Sequence, residues 1–228
     1  MTALLSEAEW ARAGRLLERR RRAMYLGGRI GMRLLLSAYT GIANEDLRFG
    51  YGSRNKPALL NDLPDGELCF NYSLSGGKAL YALAWDRQLG IDLETWPRKI
   101  NAAALAKRKL AAVEQQAWRA VPRPWRDHAM LACWTRKEAY GKALGVGIRY
   151  TLNQAPVFVG VGQPVWQCAV SGLFDGQAHP RTLHGVQLLP PFPGIAALVH
   201  DGEALQRPAD GASLQGWRWT PGGEGEIS

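Results

Sequence analysis

The chain has 228 residues, 46% hydrophobic and 21% charged, a balance that suits a globular protein with a sizeable core, as one large domain or two packed lobes. Lys and Arg number 28 against 20 Asp and Glu, a formal charge of +8, which draws polyanions or acidic proteins by long-range steering and says nothing about fold. No apolar run nears the roughly 18 residues that span a bilayer, and Cys69, Cys133 and Cys168 lie far apart among apolar neighbours as reduced thiols; a cytoplasmic protein without signal peptide, membrane helix, disulfide or zinc site is expected.

Ser6-Glu7-Ala8-Glu9 reads as a capping box opening a first helix. The basic run Arg19 to Arg22 follows, and after Gly27-Gly28 a second helix is expected, with Ile30, Met32, Leu34, Leu35 and Leu36 apolar, Arg29 and Arg33 on its other side, and Gly41 and Asn44 ending it. From Leu47 to Asp65, Gly and Pro interrupt any long element. Strands are predicted over 67–73 and 79–85 around the Gly76-Gly77 turn, and over 89–94. Helices are predicted over 102–119 and, after Pro122 and Pro124, over about 125–144 with Gly145 as a left-handed cap. Short strands are expected at 156–161, 165–170, 181–189 and 195–200. Beyond residue 201 Gly, Pro and charged residues dominate a partly loose tail, although Trp217 and Trp219 suggest that some of it packs down.

This order of helix, strands, helix, strands occurs twice. The expected fold is α+β, with two similar pseudo-symmetric lobes, residues 1–97 and 98–228, each a small antiparallel sheet packed on helices.

Two stretches carry the chemistry. In Gly90-Ile91-Asp92-Leu93-Glu94, alternation puts Asp92 and Glu94 on one face of a strand end, about 7 Å apart along the chain. In Trp134-Thr135-Arg136-Lys137-Glu138-Ala139-Tyr140-Gly141-Lys142, helical spacing lines up Trp134, Glu138 and Lys142. Three carboxylates without Cys or His suit a hard cation such as Mg²⁺, which keeps waters and takes phosphate oxygens as further ligands. Transfer of a phosphate-linked group is the implied chemistry.

These motifs, together with Lys56-Pro57 and Asn71-Tyr72-Ser73-Leu74-Ser75, stand in the order found in the 4′-phosphopantetheinyl transferases of the larger, surfactin-synthetase-activating type, which the chain resembles from about Arg22 to Ile148. The resemblance implies the fold of that family and transfer of phosphopantetheine from coenzyme A to a serine of an acyl or peptidyl carrier protein. It also implies Mg²⁺ held by Asp92, Glu94 and Glu138, with Lys142 near the diphosphate to stabilise or protonate the departing 3′,5′-ADP. Gap-free matching places the family's suggested general base at Glu114, with removal of the serine proton through the metal as the alternative. Lys56-Pro57, Arg22 and Arg29 are the candidates for the nucleotide end, because a 3′-phosphate calls for charge-assisted donors. Leu74 stands where the family usually has a histidine that contacts the coenzyme's phosphates. Either Ser73, Ser75 and backbone amides replace that contact, or coenzyme binds more weakly, or the substrate range differs. Two lobes in one chain make a monomer sufficient, and neither nucleic acid nor membrane is an expected partner. Two rival readings are a Mg²⁺-dependent phosphodiesterase or nuclease, and a non-enzymatic nucleic-acid-binding module in which Arg19 to Arg33 contact phosphates.

Overall fold

The computed structural model describes residues 4–52, 56–96, 100–146, 157, 159, 165–170, 173–174, 177–178, 181–202, 217–218 and 226–227. In chain order they form α1 (Glu7–Gly14), α2 (Arg19–Thr40), β1 (Phe49–Tyr51), β2 (Pro57–Leu59), β3 (Leu68–Ser75), β4 (Lys78–Trp85), β5 (Leu89–Thr95), α3 (Ala102–Lys109), α4 (Ala112–Ala120), α5 (Arg126–Leu144), β6 (Val165–Val170), β7 (Leu173–Phe174), β8 (Gln177–Ala178), β9 (Arg181–Leu188), β10 (Gly194–His200), β11 (Trp217–Arg218) and β12 (Glu226–Ile227). Mixed helices and small antiparallel sheets make this an α+β fold.

The capping box of α1 forms as expected, Ser6 and Glu9 each accepting from the other's backbone amide. Glu9 does more than cap. It is buried and takes the guanidinium groups of both Arg29 and Arg33, which clamps α1 onto α2. Burial alone would raise the Glu9 pKa, but the Ser6 amide and the two arginines hold it below the usual carboxylate range.

Two expectations for this region are corrected. Helix α2 runs unbroken through Gly27-Gly28, because glycine is tolerated in a helix whose neighbours pack closely: a Cβ at Gly28 would press on Leu74, and one at Gly31 would strike the Tyr81 hydroxyl. Arg29 and Arg33, expected on the side opposite the apolar residues, are themselves buried, both lying over the Phe49 ring as well as paired with Glu9.

The β3–β4 hairpin turns on Gly76-Gly77, both at positive φ (56° and 80°), the requirement of a tight two-residue hairpin loop. Met32, Leu36, Leu68 and Phe70 form the core between this hairpin and α2.

Strand β5 is the pivot of the molecule. By backbone hydrogen bonds it belongs to the four-stranded sheet β5-β10-β9-β6, pairing antiparallel with β10. On its other side it meets β3 without a backbone ladder. Asn71 Oδ1, Ser73 Oγ and Ser75 Oγ accept the amide protons of Ile91, Leu93 and Thr95, at 2.9, 3.2 and 3.1 Å. The period-two alternation of both strands makes this side-chain ladder possible, and it satisfies amides that burial would otherwise leave costly. Strand β5 thus joins β3, which precedes it, to β10, about a hundred residues further on.

Helix α5 lies across β5 and β10. Gly90 permits the approach, because a Cβ there would run into the Ala139 carbonyl oxygen and the Ala143 amide. Ala197 on β10, small and packed with Ala139 and Ala143, completes the seam. Buried on most sides, α5 ends where expected at Gly145 in the left-handed conformation (φ 67°). The helix predicted over 102–119 is two, α3 capped by Asn101 and α4 opening after Leu110-Ala111. Residues 156–161 fall outside the described residues, except Val157 and Val159, which are buried and not in a strand. Cys69 and Cys133 are buried free thiols; the side chain of Cys168 lies outside the described residues, as does Trp219, while Trp217 pairs with Ile227. Burial pushes the Cys69 and Cys133 thiols up to about 11 and about 12, so both are inert cysteines. No helix among the described residues is long and apolar enough to cross a membrane.

Candidate active site

A cleft of about 750 Å³ opens between α1, α2 and β3 on one wall and α3 and α5 on the other, with β5 at its base. Asp92, Glu94, Glu138 and Lys142 all line it, so the two motifs forty residues apart in sequence converge. The stripe of α5 predicted from helical spacing faces it, with Trp134, Glu138 and Lys142 in succession.

Asp92 is buried and held from two sides. Lys142 Nζ donates to its Oδ1 at 2.8 Å, and Ser73 Oγ donates to the same oxygen at 2.9 Å. Its other oxygen, Oδ2, is buried without a hydrogen-bond partner. Lys142 Nζ also donates to the Ile91 carbonyl at 2.9 Å, and Ser75 Oγ lies 3.4 Å from Glu94 Oε2. The carboxyl group of Glu138 is pushed up to about 7, chiefly by burial and next by the negative charge of Asp92, with Lys142 and Lys109 pulling the other way. Glu94 adds to the repulsion. Such a crowd of acids in one partly dry place is relieved by a cation.

Among the described residues no three Asp, Glu, His or Cys side chains are gathered closely enough to ligate an ion as they stand. The donor set nevertheless fits a hard divalent cation. It is made of carboxylates only, Asp92 presents an unpartnered buried oxygen, and Glu138 suffers the repulsion that a dication would remove.

The other predicted residues divide. Pro57, Ser73, Leu74, Lys56 and Arg29 line the cleft; Ser75, Arg22 and Glu114 do not. Lys56 is already engaged, its Nζ donating to Gln88 Oε1 and to the carbonyls of Leu89 and Ala143, which ties the start of β5 to the end of α5. Arg22 is exposed and donates to the Leu16 carbonyl, and Arg29 is committed to Glu9. Ser73 and Ser75 are taken up by the β3–β5 ladder rather than standing ready for a phosphate. Leu74 lies in the cleft wall against Gly28.

Glu114 calls for the plainest correction. It is 2% exposed, ion-paired with the fully buried Lys137 at 2.8 Å, and accepts the amides of Ala111 and Val157. Lys137 is buried because α5 is covered on nearly every side, and a buried ammonium demands a buried acid. The carboxylate is thus turned into the core and away from the cleft.

Sequence reasoning missed Arg12, Tyr25, Tyr51 and Lys109, all of which line the cleft. Arg12 lies over the Tyr25 ring at 5.6 Å and Lys109 over the Trp134 ring at 4.9 Å. Arg12 carried one local signal: it stands three residues after Glu9, and so on the same face of α1. Within the stretch Arg19 to Arg33, Arg29 and Arg33 are buried, whereas Arg19 to Arg22 stay exposed.

Three carboxylates thus lie beside Lys142 in one cleft. Comparison with known proteins adds to this. The family model described as the 4′-phosphopantetheinyl transferase superfamily matches residues 88–179, the stretch that carries Asp92, Glu94, Glu138 and Lys142. The chain is 37% identical over 148 residues to the 4′-phosphopantetheinyl transferase HetI of Nostoc sp., covering 65% of this chain and 62% of HetI. It is 27% and 26% identical, each over 187 residues, to the mouse and human L-aminoadipate-semialdehyde dehydrogenase-phosphopantetheinyl transferases, covering 71% of this chain and 60% of each relative. The chain thus spans about three-fifths of the length of these curated relatives.

Proposed function

We propose that this protein transfers the 4′-phosphopantetheine group of coenzyme A to a serine hydroxyl of an acyl or peptidyl carrier protein, releasing 3′,5′-ADP in a Mg²⁺-dependent reaction. We further infer that it is of the larger, surfactin-synthetase-activating type and acts as a cytoplasmic monomer. One observation carries the reading. Three acids and Lys142 share a single cleft, within the stretch that resembles the transferase family.

Asp92, Glu94 and Glu138 would hold Mg²⁺, which when bound supplies charge neutralisation on the diphosphate oxygens. Lys142 is fixed between the Ile91 carbonyl and Asp92, so its ammonium stands at the same place as the acids and would stabilise the developing charge on the departing nucleotide. Gly90 sets the distance between β5 and α5, and with it the spacing of Asp92 from Lys142 and Glu138, while the β3–β5 ladder holds β5 from its other side. Glu114, paired inside with Lys137, is not positioned to take the serine proton.

The test incubates the full chain with coenzyme A, Mg²⁺ and several apo carrier proteins, then weighs each carrier by intact mass spectrometry. The mass gain of one phosphopantetheine on a carrier serine is the expected result; coenzyme A left intact with every carrier would overturn the reading.

A further inference from the structure

Strands β9 and β10 bring together two histidines that stand far apart in sequence. In their antiparallel register His184 lies directly opposite His200, with ring centroids 5.8 Å apart and planes inclined by 24°. Local spacing gave no reason to expect a zinc site, because it does not show which residues a strand register sets face to face. Alternation puts both side chains on the face of the sheet that carries Leu188 and Leu198, packed with Leu89 and Ile91, whereas Leu183, Ala197 and Val199 pack with Ala139 and Ala143 of α5. The pair is therefore across the sheet from the helix that carries Glu138, and neither histidine lines the cleft.

His184 is 8% exposed and His200 3%, yet each keeps one ring nitrogen buried without a hydrogen-bond partner among the described residues, Nδ1 of His184 and Nε2 of His200. A buried polar atom left unpaired is costly, and two of them on facing rings call for a ligand. For His200 the chemistry places the proton. Its Nδ1 lies 2.8 Å from the Asp201 carbonyl oxygen, which can only accept, so Nδ1 carries the hydrogen and the lone pair of the neutral ring sits on Nε2. Burial lowers the His200 pKa and keeps the ring neutral, while Arg87 and Asp201 act on it with opposite sign. An imidazole whose N–H is tied to a backbone carbonyl is oriented to ligate a metal through its other nitrogen.

Two imidazoles that share one ion through nitrogens at about 2.0–2.1 Å have ring centroids about 5–6 Å apart, a separation this pair already has. Imidazole nitrogens favour borderline ions such as Zn²⁺ or Cu²⁺ over the hard cation that suits the carboxylates of the cleft. We propose that His184 and His200 form a metal site of their own, binding one divalent transition ion of the zinc or copper kind through His184 Nδ1 and His200 Nε2, with water as the remaining ligands. The ion clips β9 to β10 at the end of the sheet and, since β10 pairs with β5, steadies the strand that carries Asp92 and Glu94.

The experiment titrates the metal-free full chain with Zn²⁺ by calorimetry and with Cu²⁺ by electron paramagnetic resonance, both in excess Mg²⁺ to occupy the acids of the cleft. Binding of one ion per chain, a rise in the thermal midpoint on adding Zn²⁺, and a copper spectrum split by two imidazole nitrogens are the expected results. His184→Gln and His200→Gln should each weaken Zn²⁺ binding by about tenfold or more and remove the rise. Should either variant fail to fold, His128→Ala combined with His179→Ala decides: of the four histidines it leaves only this pair, and it should keep both the affinity and the splitting. Absence of binding by the native chain, or a copper spectrum without two nitrogen couplings, overturns the proposal. So does binding that survives in the folded glutamine variants or is lost from the His128 and His179 double variant.

Discussion

Ser73 and Asp92 are joined by a hydrogen bond of 2.9 Å from Ser73 Oγ to Asp92 Oδ1, and the same hydroxyl oxygen accepts the Leu93 amide proton at 3.2 Å. One side chain therefore closes a gap in the backbone ladder and aims a carboxylate of the site. Structure and site share a residue here.

Ser73→Ala leaves the buried Leu93 amide without its acceptor, which costs about 1–3 kcal/mol. It also releases Asp92 from one of its two donors. Urea unfolding should show the stability loss, and transfer to carrier should fall at the same time. A variant with native stability would show that the β3–β5 seam does not depend on this hydroxyl.

Gly90→Ala drives a methyl group into the backbone of α5 at Ala139 and Ala143. Overpacking of this kind costs about 1–3 kcal/mol, and here it must push away the helix that carries Glu138 and Lys142. Thermal unfolding should drop, and activity at a temperature where the variant is fully folded should drop further. Full activity in the folded variant would mean that the spacing of β5 and α5 is not critical.

Much of this was legible in the sequence, and what was not has physical causes. The Trp134, Glu138, Lys142 stripe and the Asp92, Glu94 face follow from local periods of 3.6 and 2, and Gly76-Gly77 and Gly145 from the need for positive φ. The engagement of Glu114, Arg29 and Lys56 was hidden because their partners, Lys137, Glu9 and the Ala143 carbonyl, lie 20 or more residues away, and a charge alone does not reveal whether it is buried. The place of β5 in the second sheet was hidden for the same reason, since its partner β10 lies a hundred residues on. Gly27-Gly28 looked like a break because its reason, close packing on Leu74, is tertiary.

Glu114→Gln leaves Lys137 buried beside a neutral group. Removing one member of a buried pair costs about 3–5 kcal/mol. Denaturant midpoints should fall steeply, while Glu114→Leu with Lys137→Met should recover much of the loss. A stable Glu114→Gln variant with selectively lost transfer would return Glu114 to a catalytic role.

Acid should weaken the fold through His200. It is buried and stacks on His184 with ring centroids 5.8 Å apart. Burial, above all, depresses its pKa, with His184 and Arg87 adding to the effect. Below about 6.5 the unfolded chain takes up a proton that the folded one resists, so this contribution is fully present above that pH and declines as pH falls. Glu138, whose carboxyl is raised, acts in the opposite direction, so the comparison must be with His200→Gln. The native protein should lose more stability between pH 7.5 and 5.5 than the variant does; equal losses would contradict this account.

The central claim is that Asp92, Glu94 and Glu138 serve one cation in a single reaction. It is tested most directly by following carrier modification by intact mass with native protein, Asp92→Asn and Glu138→Gln, each with Mg²⁺ and with the metal chelated. The account predicts transfer by the native protein in Mg²⁺, loss of about two orders of magnitude or more in each variant with the fold retained, and no transfer after chelation. Undiminished transfer by both variants, or transfer indifferent to chelation, would contradict it.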